Sequence, residues 1–548
     1  MTEVRTDPGS AAEDPAPQPA RAPDFVPKPL YLAVAYIAAA SFLALTQSLG
    51  QGFLTANLTT LGGELGATQS QTAWLMVAFM SPRAWMPLML IKIRTQFGLR
   101  RFAEVSILIY AAVAVLNLFT TDLRSALVAE ALSGIAASSL STLAFLYMLE
   151  PFRAERKLVI GLPLALTVIS LGAPLGQALA PLILENASTM SILVLKLGMA
   201  LVCLPFVYLL PLAATPTMKV IKRLDLVSFV LLAASFSGIV ACFTTGAIYW
   251  WFEANWLGWL LGGSIAALAL VLTIELHRKA PLLDVRWLTS PAMLHLSAVL
   301  ILFRIVLSEQ SAGAPGLFRS LGYDASQTMP LFWAISGGTL AGGLVCAAIL
   351  RPARVPFIHW GALALIAIAA SMDSHASITV APRDMIVSQA LIAFASSLFL
   401  ASAMAAGLLA ALMKGPQYLL SFITVFLSTQ ILGGTIGSGL FRTLVSVRAS
   451  THGALIRDQL MITDAAVSGR IGQTARGLSG TVTDAAQAKA QAVTQLGTQI
   501  ARQATVSAYN DAFTAIAGLA LAALAVLTLH LLHIHLKSRA APSAAATA

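Results

Sequence analysis

Residues 256–274 read WLGWLLGGSIAALALVLTI, a run with no charged side chain. A helix needs about 20 such residues to cross the hydrocarbon core of a bilayer. Similar runs recur along the whole chain, more often than any soluble fold needs. They predict an all-α integral membrane protein with fourteen transmembrane helices, starting near Pro29, Gln71, Phe102, Leu123, Leu158, Met190, Leu226, Trp256, Ala292, Thr328, Pro356, Met385, Pro416 and Ala512.

The overall composition agrees with a membrane protein. Of the 548 residues, 57% are hydrophobic and 11% are charged, whereas a soluble domain carries about 25% charged residues. The mean hydropathy is +0.80. The formal net charge of +10 at pH 7 raises the question of nucleic-acid binding. The basic residues form neither a patch nor a basic helix, so nucleic acid is excluded as a partner.

The basic residues are concentrated in alternate loops instead. Short loops of the other parity are nearly free of them and carry acids such as Glu64, Glu185 and Glu253. This positive-inside pattern predicts that both termini are cytoplasmic and that the number of spans is even. The basic positions include Lys92, Arg94, Arg100, Arg101, Arg153, Arg156, Lys157, Lys219, Lys222, Arg223, Arg278, Lys279, Arg286, Arg351, Arg354, Lys414, Lys537 and Arg539.

The chain ends and one loop depart from the regular succession of spans. Residues 1–28 and 539–548 contain few large apolar side chains, which predicts disordered cytoplasmic tails. Residues 442–511 are polar and, by the same parity, face outward. Apolar residues recur there at helical spacing, which predicts at least one amphipathic helix outside the membrane. This external loop is either a solvated connection or a docking surface for an external partner.

No motif for enzymatic chemistry is present in the sequence. A GxxxxGK[ST] phosphate-binding loop is absent, so ATP cannot drive transport by this chain. The three cysteines, Cys203, Cys242 and Cys346, lie within predicted spans and lack metal-ligand spacing. We therefore expect no enzyme activity, no cofactor and no metal. Any transport would take its energy from an ion gradient.

Five ionisable residues interrupt the spans, namely Arg83, Glu130, Lys196, Arg304 and Glu309. Such residues are costly in a membrane and are functional candidates by default. Arg83 and Glu130 have opposite charges and lie on different spans, so an ion pair would lower the cost of burying either. That pair would either fix helix packing or take part in transport.

Two of these residues share the ninth span. Arg304 and Glu309 are five positions apart, about 140° around a helix, so they should face different partners. A lone carboxyl in an apolar span can load and release a proton, which makes Glu309 and Glu130 the proton-coupling candidates. Arg83, Arg304 and Lys196 are the candidates for substrate binding or charge pairing. Lys196 also has a simpler interpretation, in which its ammonium group extends to the outer surface.

The fifth span combines glycines with prolines. Gly172 and Gly176 are four residues apart and share a face, which allows close approach of another helix. Pro174 removes a backbone donor between them and favours a bend. The three residues are candidates for a gate, and ordinary helix packing is the alternative.

Four segments show a family resemblance. LGGELGATQSQTAW at 61–74 resembles the end of the first loop in the fourteen-span drug:proton antiporters of the major facilitator superfamily, the EmrB/QacA type. RLDLVS at 223–228 is similar to the entry to their seventh span, and PLLDVRWL at 281–288 to the segment before their ninth. AYNDAF at 508–513 resembles the entry to their last span.

This resemblance implies an arrangement. Residues 29–215 would form an N-terminal six-helix bundle, 216–290 two central linker helices, and 291–538 a C-terminal six-helix bundle that includes the external loop. The bundles would rock about a central cavity in alternating access. The resemblance also implies multidrug efflux by proton antiport in the bacterial inner membrane. A periplasmic adaptor protein and an outer-membrane channel would be its partners.

The functional motifs differ from the family pattern. In the second-loop signature, Thr95 replaces the Asp and Ile91 replaces the first Gly. The first span lacks the usual Asp, since residues 50–52 read GQG. In the fourth span, Glu130 occupies the frame where the family carries an Arg. These changes suggest a charge pair of reversed polarity, with Arg83 as the base and Glu130 as the acid.

The predicted function is proton-coupled secondary export of small amphipathic or anionic organic compounds across the bacterial inner membrane. The predicted partners are the substrate, protons and the lipid bilayer. One alternative is a proton-coupled importer, because a fold does not determine direction or cargo. The other is a non-transporting membrane receptor or scaffold, against which the buried charges argue.

Overall fold

The structure is a computed structural model that describes residues 28–184, 189–212, 217–278, 281–459, 465–478, 482 and 484–540. The predicted tails, 1–28 and 539–548, lie almost wholly outside these ranges. Within them the chain forms helices and contains no strand. The long helices are α1 Leu30–Glu64, α2 Gln69–Phe97, α3 Leu99–Asn117, α4 Leu123–Leu149, α5 Lys157–Leu184, α6 Thr189–Leu209, α7 Arg223–Tyr249, α8 Asn255–Leu276, α9 Pro291–Ser320, α10 Ala325–Ile349, α11 Pro352–Asp373, α12 Pro382–Lys414, α13 Pro416–Gln459, α14 Ala465–Leu478 and α15 Ala485–Ala540.

Every predicted span coincides with one of these helices. In the described part of the chain, twelve helices are long and apolar enough to cross a membrane. The remaining two predicted spans fall on α3 and α13, which are outside that set. Helix α3 is 19 residues long and carries Arg100, Arg101 and Glu104 near its start, which lowers its apolar character. The chain is thus a multi-pass membrane protein.

The first six helices pack mainly on one another. Helix α1 contacts α4, α5 and α6, while α2 contacts α4, and α3 contacts α4 and α6. A second group forms among the later helices, where α10 and α11 pack on α12, α9 packs on α13, and α15 packs on α11 and α13. These two groups are called here the first half and the second half. They meet where α2 contacts α13 and where α5 contacts α10.

Glycines bring the helices within each half close together. In the first half, a Cβ on Gly176 would lie 2.8 Å from the carbonyl oxygen of Leu49 in α1. In the second half, a Cβ on Gly342 would overlap the carbonyl group of Phe394 in α12. Because only a residue without a side chain fits at such crossings, these two helix contacts depend on glycine.

The two central helices, α7 and α8, are attached to the first half by buried ion pairs. Helix α7 packs against α2 and α13, and α8 packs on α7. Asp225 of α7 is 2.8 Å from Lys92 Nζ of α2 and 2.5 Å from Arg278 Nη2, just after α8. Arg278 Nη1 also lies 2.6 Å from Glu275. Burial lowers the pKa of Arg278, but its hydrogen bonds to Asp225 and Glu275 outweigh burial and raise the pKa above its usual value.

The described residues of the polar segment 442–511 are largely helical. They form the end of α13, the helix α14 and the first part of α15. Helix α14 lies where an amphipathic helix is predicted, and its Val467 and Ile471 pack against Ala492 of α15. Near the start of this segment, Arg448 of α13 pairs with Asp511 of α15 at 2.5 Å. The long helices α13 and α15 therefore continue their contact beyond their apolar parts.

Candidate functional site

The two halves enclose a cavity of about 320 Å³. Helices α1, α2, α4 and α5 line one side, and α9, α10, α12 and α13 line the other. Among the described residues on its wall, the only charged ones are Arg83 and Arg304, one from each half, and none is acidic. The remaining polar wall is neutral and contains Gln51, Thr55, Ser138, Ser141, Ser170, Gln177, Gln310, Ser311, Thr339, Ser396, Ser397 and Gln430.

Arg83 is held in a fixed orientation by the neighbouring helix α1. Its Nη1 donates to Gln51 Oε1 at 2.6 Å, and its Nη2 donates to Gln47 Oε1 at 3.3 Å. Its guanidinium group also lies over the Phe79 ring, 5.2 Å from the centroid. The side chain is only 8% exposed. Glutamine amides orient the guanidinium group without neutralising it, so its positive charge remains available to the cavity.

Arg304 faces the cavity from α9 in a different way. Glycines of α13 make room for it, since a Cβ on Gly434 would lie 2.5 Å from Arg304 Nη2 and one on Gly433 would lie 2.9 Å from Arg304 Cβ. Its Nε is buried without a hydrogen-bond partner. Within the described ranges no acidic side chain forms an ion pair with it. A guanidinium group in this state has unused donors for an anion.

The predicted pair between Arg83 and Glu130 is wrong, because each side chain has other partners. Glu130 Oε1 of α4 lies 4.0 Å from Lys196 Nζ of α6. Both line a second cavity of about 240 Å³ within the first half, together with Asn57 and Glu64 of α1. Lys196 therefore turns towards Glu130 and not towards the outer surface. The proposed charge pair of reversed polarity is replaced by one between α4 and α6.

Glu309 lies in a π-helical turn of α9, Glu309–Gly313, and is not among the described residues that line the cavity. It is 0% exposed, and the carboxyl group of Asp373, the last residue of α11, lies close enough to interact with it electrostatically. Ser388 Oγ and Gln389 Nε2 of α12 donate to the two oxygens of Asp373, at 2.5 and 2.8 Å. Arg304 and Glu309 thus face different partners, as their spacing predicts.

Asp373 is a candidate residue that the sequence analysis missed. It precedes the polar stretch Ser374-His375, so it has the sequence character of a helix end facing water. In the structure it is only 3% exposed. The sequence does contain one signal for it. Ser388 and Gln389 are adjacent polar residues early in α12, and they predict that a polar side chain of another helix lies next to them. Nothing in their spacing identifies that partner.

The three gate candidates of α5 lie between α1 and the cavity. A Cβ on Gly172 would overlap Ser48 of α1, and Gly176 lies against Leu49 and Gly52 of the same helix. Pro174 is part of the cavity wall. The position of these three residues therefore fits both a gate and ordinary helix packing, since the glycines pack tightly against α1 and Pro174 borders the cavity.

No protein-family model and no curated protein sequence matches the chain. Solved structures of transporters do match. The human organic anion transporter MFSD10 (TETRAN) is similar with a TM-score of 0.54 and 12% sequence identity, over 90% of this chain and 100% of that chain. The POT family transporter PepTSo is similar with a TM-score of 0.51 and 14% identity, over 93% of this chain and 99% of that chain.

These comparisons show the fold. The chain has the fold of transporters of the major facilitator type, and the structures that it resembles are transporters and not enzymes. In transporters with this fold, a site between the two halves is open to one side of the membrane at a time.

Proposed function

We propose that this protein is a secondary transporter that exports small organic anions with an apolar part, in exchange for protons, by alternating access. The observation that carries this proposal is the pair of arginines, one from each half, in a cavity to whose wall the described residues contribute no acidic side chain. Two uncompensated guanidinium groups attract a carboxylate or sulfonate and repel a cation. The proposal narrows the predicted substrates from amphipathic or anionic compounds to anionic ones.

The size and walls of the cavity support a small, partly apolar substrate. A volume of about 320 Å³ is at the lower end of the range for small-molecule sites. Phe145 from the first half and Phe332 and Phe426 from the second half contribute aromatic surface to the cavity. The fold is also known to serve such cargo, because the similar structure MFSD10 is named an organic anion transporter.

Export is favoured over import by the energetics of a charged substrate. When one monovalent anion leaves in exchange for one entering proton, two charges move in the direction that an inside-negative potential drives. Each contributes about 2.3 kcal/mol per 100 mV. Symport of the same anion with one proton moves no net charge and gains nothing from the potential. Import remains the second candidate because the fold serves both directions.

The proposal includes the predicted topology and setting. Fourteen spans with both termini in the cytoplasm, two six-helix bundles, residues 29–215 and 291–538, and central helices within 216–290 describe the arrangement in a bacterial inner membrane. Gly172, Pro174 and Gly176 would then form part of the gate. The polar segment around α14 would contact a periplasmic adaptor that leads to an outer-membrane channel. Recovery of such an adaptor with the detergent-extracted full chain is the measurement that checks this contact, and extraction of the chain alone would argue against it.

Transport by purified protein in liposomes tests the substrate class. We expect counterflow exchange of radiolabelled benzoate and no exchange of the lipophilic cation tetraphenylphosphonium. Arg304→Gln should raise the KM for benzoate about tenfold, since a hydrogen bond to a charged group contributes roughly 1.5–3 kcal/mol. Arg304→Lys should lie in between, because it keeps the charge but loses the planar pair of donors.

A matched control is Arg351→Gln, an exposed arginine at the end of α10, which should leave the KM unchanged. Exchange of the cation in preference to benzoate would overturn the anionic substrate. An unchanged KM in Arg304→Gln would remove Arg304 from the site.

A further inference from the structure

Among the described residues, no cationic side chain forms an ion pair with Glu309 or Asp373. Glu309 is 0% exposed, Asp373 is 3% exposed, and neither oxygen of Glu309 receives a hydrogen bond from a described residue. Two ionised carboxyl groups held side by side in a buried site repel each other, so the doubly ionised pair is strongly disfavoured while the two groups stay close together. At least one proton therefore belongs to this pair.

The hydrogen bonds indicate which residue holds that proton. Asp373 accepts from Ser388 and Gln389, and these donors stabilise a carboxylate. Glu309 has no such donor, so its protonated form is favoured, and its O–H can donate to Asp373. Gln389 Oε1 is also buried and has no described partner, which leaves an acceptor beside the pair.

In the described part of the packed helices, the cationic side chains face the cavity or lie beside other groups. Arg304, on the same helix as Glu309, faces the cavity. On α13, Arg448 and His452 both pair with Asp511 of α15 at 2.5 and 2.8 Å. Arg442 of α13 interacts with Tyr509 of α15 and Arg319 of α9. On α12, Ser388 and Gln389 are the polar groups that face Asp373, and both are neutral.

A short chain of contacts joins the carboxyl pair to the anion cavity. Gln310, next to Glu309, lines the cavity, and its Nε2 donates to the backbone oxygen of Gln389 at 3.1 Å. The side chain of Gln389 in turn donates to Asp373. Glu309 and Gln310 both belong to the π-helical turn, a distortion often found at functional sites. A change in the charge of the pair would thus reach the cavity wall through adjacent residues.

We propose that Glu309 and Asp373 together bind the one transported proton, at a site outside the anion cavity. This inference rests on the proposed function and adds the site of coupling and the identity of its second residue, Asp373. The proton binds as a Glu309 O–H donated to Asp373. When it leaves, the two carboxylates repel each other, which separates α9 from α11 and shifts the π-helical turn that carries Gln310. Proton release and the shape of the cavity are linked in this way.

Two transport measurements on the same liposomes separate the outcomes. Counterflow exchange of benzoate by the protein needs no proton movement, whereas protein-dependent accumulation driven by a pH gradient does. Protein-free liposomes give the accumulation that results from diffusion of neutral benzoic acid, and this value is subtracted. Glu309→Gln and Asp373→Asn should each keep exchange and lose accumulation. The control Asp384→Asn, with an exposed carboxyl at the start of α12, should keep both.

Proton binding can also be measured directly on the wild-type protein, so the test does not depend on whether a variant folds. In weakly buffered detergent solution, benzoate should change the number of protons bound by the wild-type protein, as reported by a pH indicator. The infrared band of a protonated carboxyl group should be present in the wild type and absent in Glu309→Gln.

The results distinguish this inference from the proposed function. Absence of benzoate exchange by the wild type would contradict the proposed function, while the infrared band would still show whether the pair is protonated. Wild-type exchange with full pH-driven accumulation in both variants would overturn the shared-proton site. Accumulation driven by a sodium gradient instead would show that the pair binds Na⁺, and would also overturn it.

Discussion

Each half of the protein buries an acidic residue among its helices, but the two residues have opposite surroundings. In the first half, Glu130 lies 4.0 Å from Lys196, so the positive charge of the lysine offsets the negative charge of the carboxylate and no proton is needed. In the second half, Glu309 lies beside Asp373, so the site is balanced only by a proton. In our proposal, Glu130 and Lys196 hold two helices together, whereas Glu309 and Asp373 bind the transported proton. The difference lies entirely in the partner.

The largest expected effect is on stability when one acid is changed to its amide. Glu130→Gln leaves the buried Lys196 without a counter-charge, and breaking a buried pair in this way costs about 3 kcal/mol. Asp373→Asn instead leaves the protonated Glu309 beside a neutral amide, so no buried charge loses its counter-charge, and it should cost much less. Melting temperatures of the purified variants in detergent measure both changes.

One result would contradict the expected difference in stability between Glu130→Gln and Asp373→Asn. Equal destabilisation by the two amide variants would show that Asp373 is held by its hydrogen bonds to Ser388 and Gln389 in the same way that Glu130 is held by Lys196. The comparison between the halves would then fail. Lys196→Met tests the first half from the other side, since it should destabilise the protein as Glu130→Gln does.

A smaller loss of stability is expected at the tight glycine contacts between helices, which both halves contain. Gly176→Ala in α5 and Gly342→Ala in α10 each place a methyl group against a backbone carbonyl, and overpacking of this kind costs about 2 kcal/mol. Gly198→Ala in α6 and Gly337→Ala in α10 are matched controls, because open space surrounds both positions. The same melting measurements compare all four variants.

The glycine variants also separate a gate from simple packing. If α5 moves against α1 during transport, Gly176→Ala should slow benzoate exchange more than Gly342→Ala does at equal loss of stability. Equal rates would assign Gly172, Pro174 and Gly176 to packing alone.

Much of the fold was predictable from local sequence. The run at 256–274 became α8, and every other predicted span coincides with a helix. Local reasoning was also correct that Arg304 and Glu309 face apart, because five residues along one helix set that angle. The composition of α3 and α13 does not by itself predict that they span the membrane. They are not among the twelve helices of the described chain that are long and apolar enough to do so.

The partners of the buried charges were not predictable in the same way. Arg83 and Glu130 have opposite charges and suggested a pair, yet α1 supplies glutamines to Arg83 and α6 supplies a lysine to Glu130. Asp373 has the sequence position of an exposed helix end and became a buried neighbour of Glu309. Each error concerns which helix lies next to which, and at what rotation.

The sequence by itself determined that this chain enters a membrane, which segments form its long apolar helices, and which few ionisable residues interrupt them. These properties follow from free energies of transfer that add up residue by residue along each segment. Only the tertiary structure decided that two arginines share a cavity and that two acids lie side by side, each apart from any opposite charge of the described residues. Electrostatic interactions depend on distance in space, and helices far apart in the chain provide those distances.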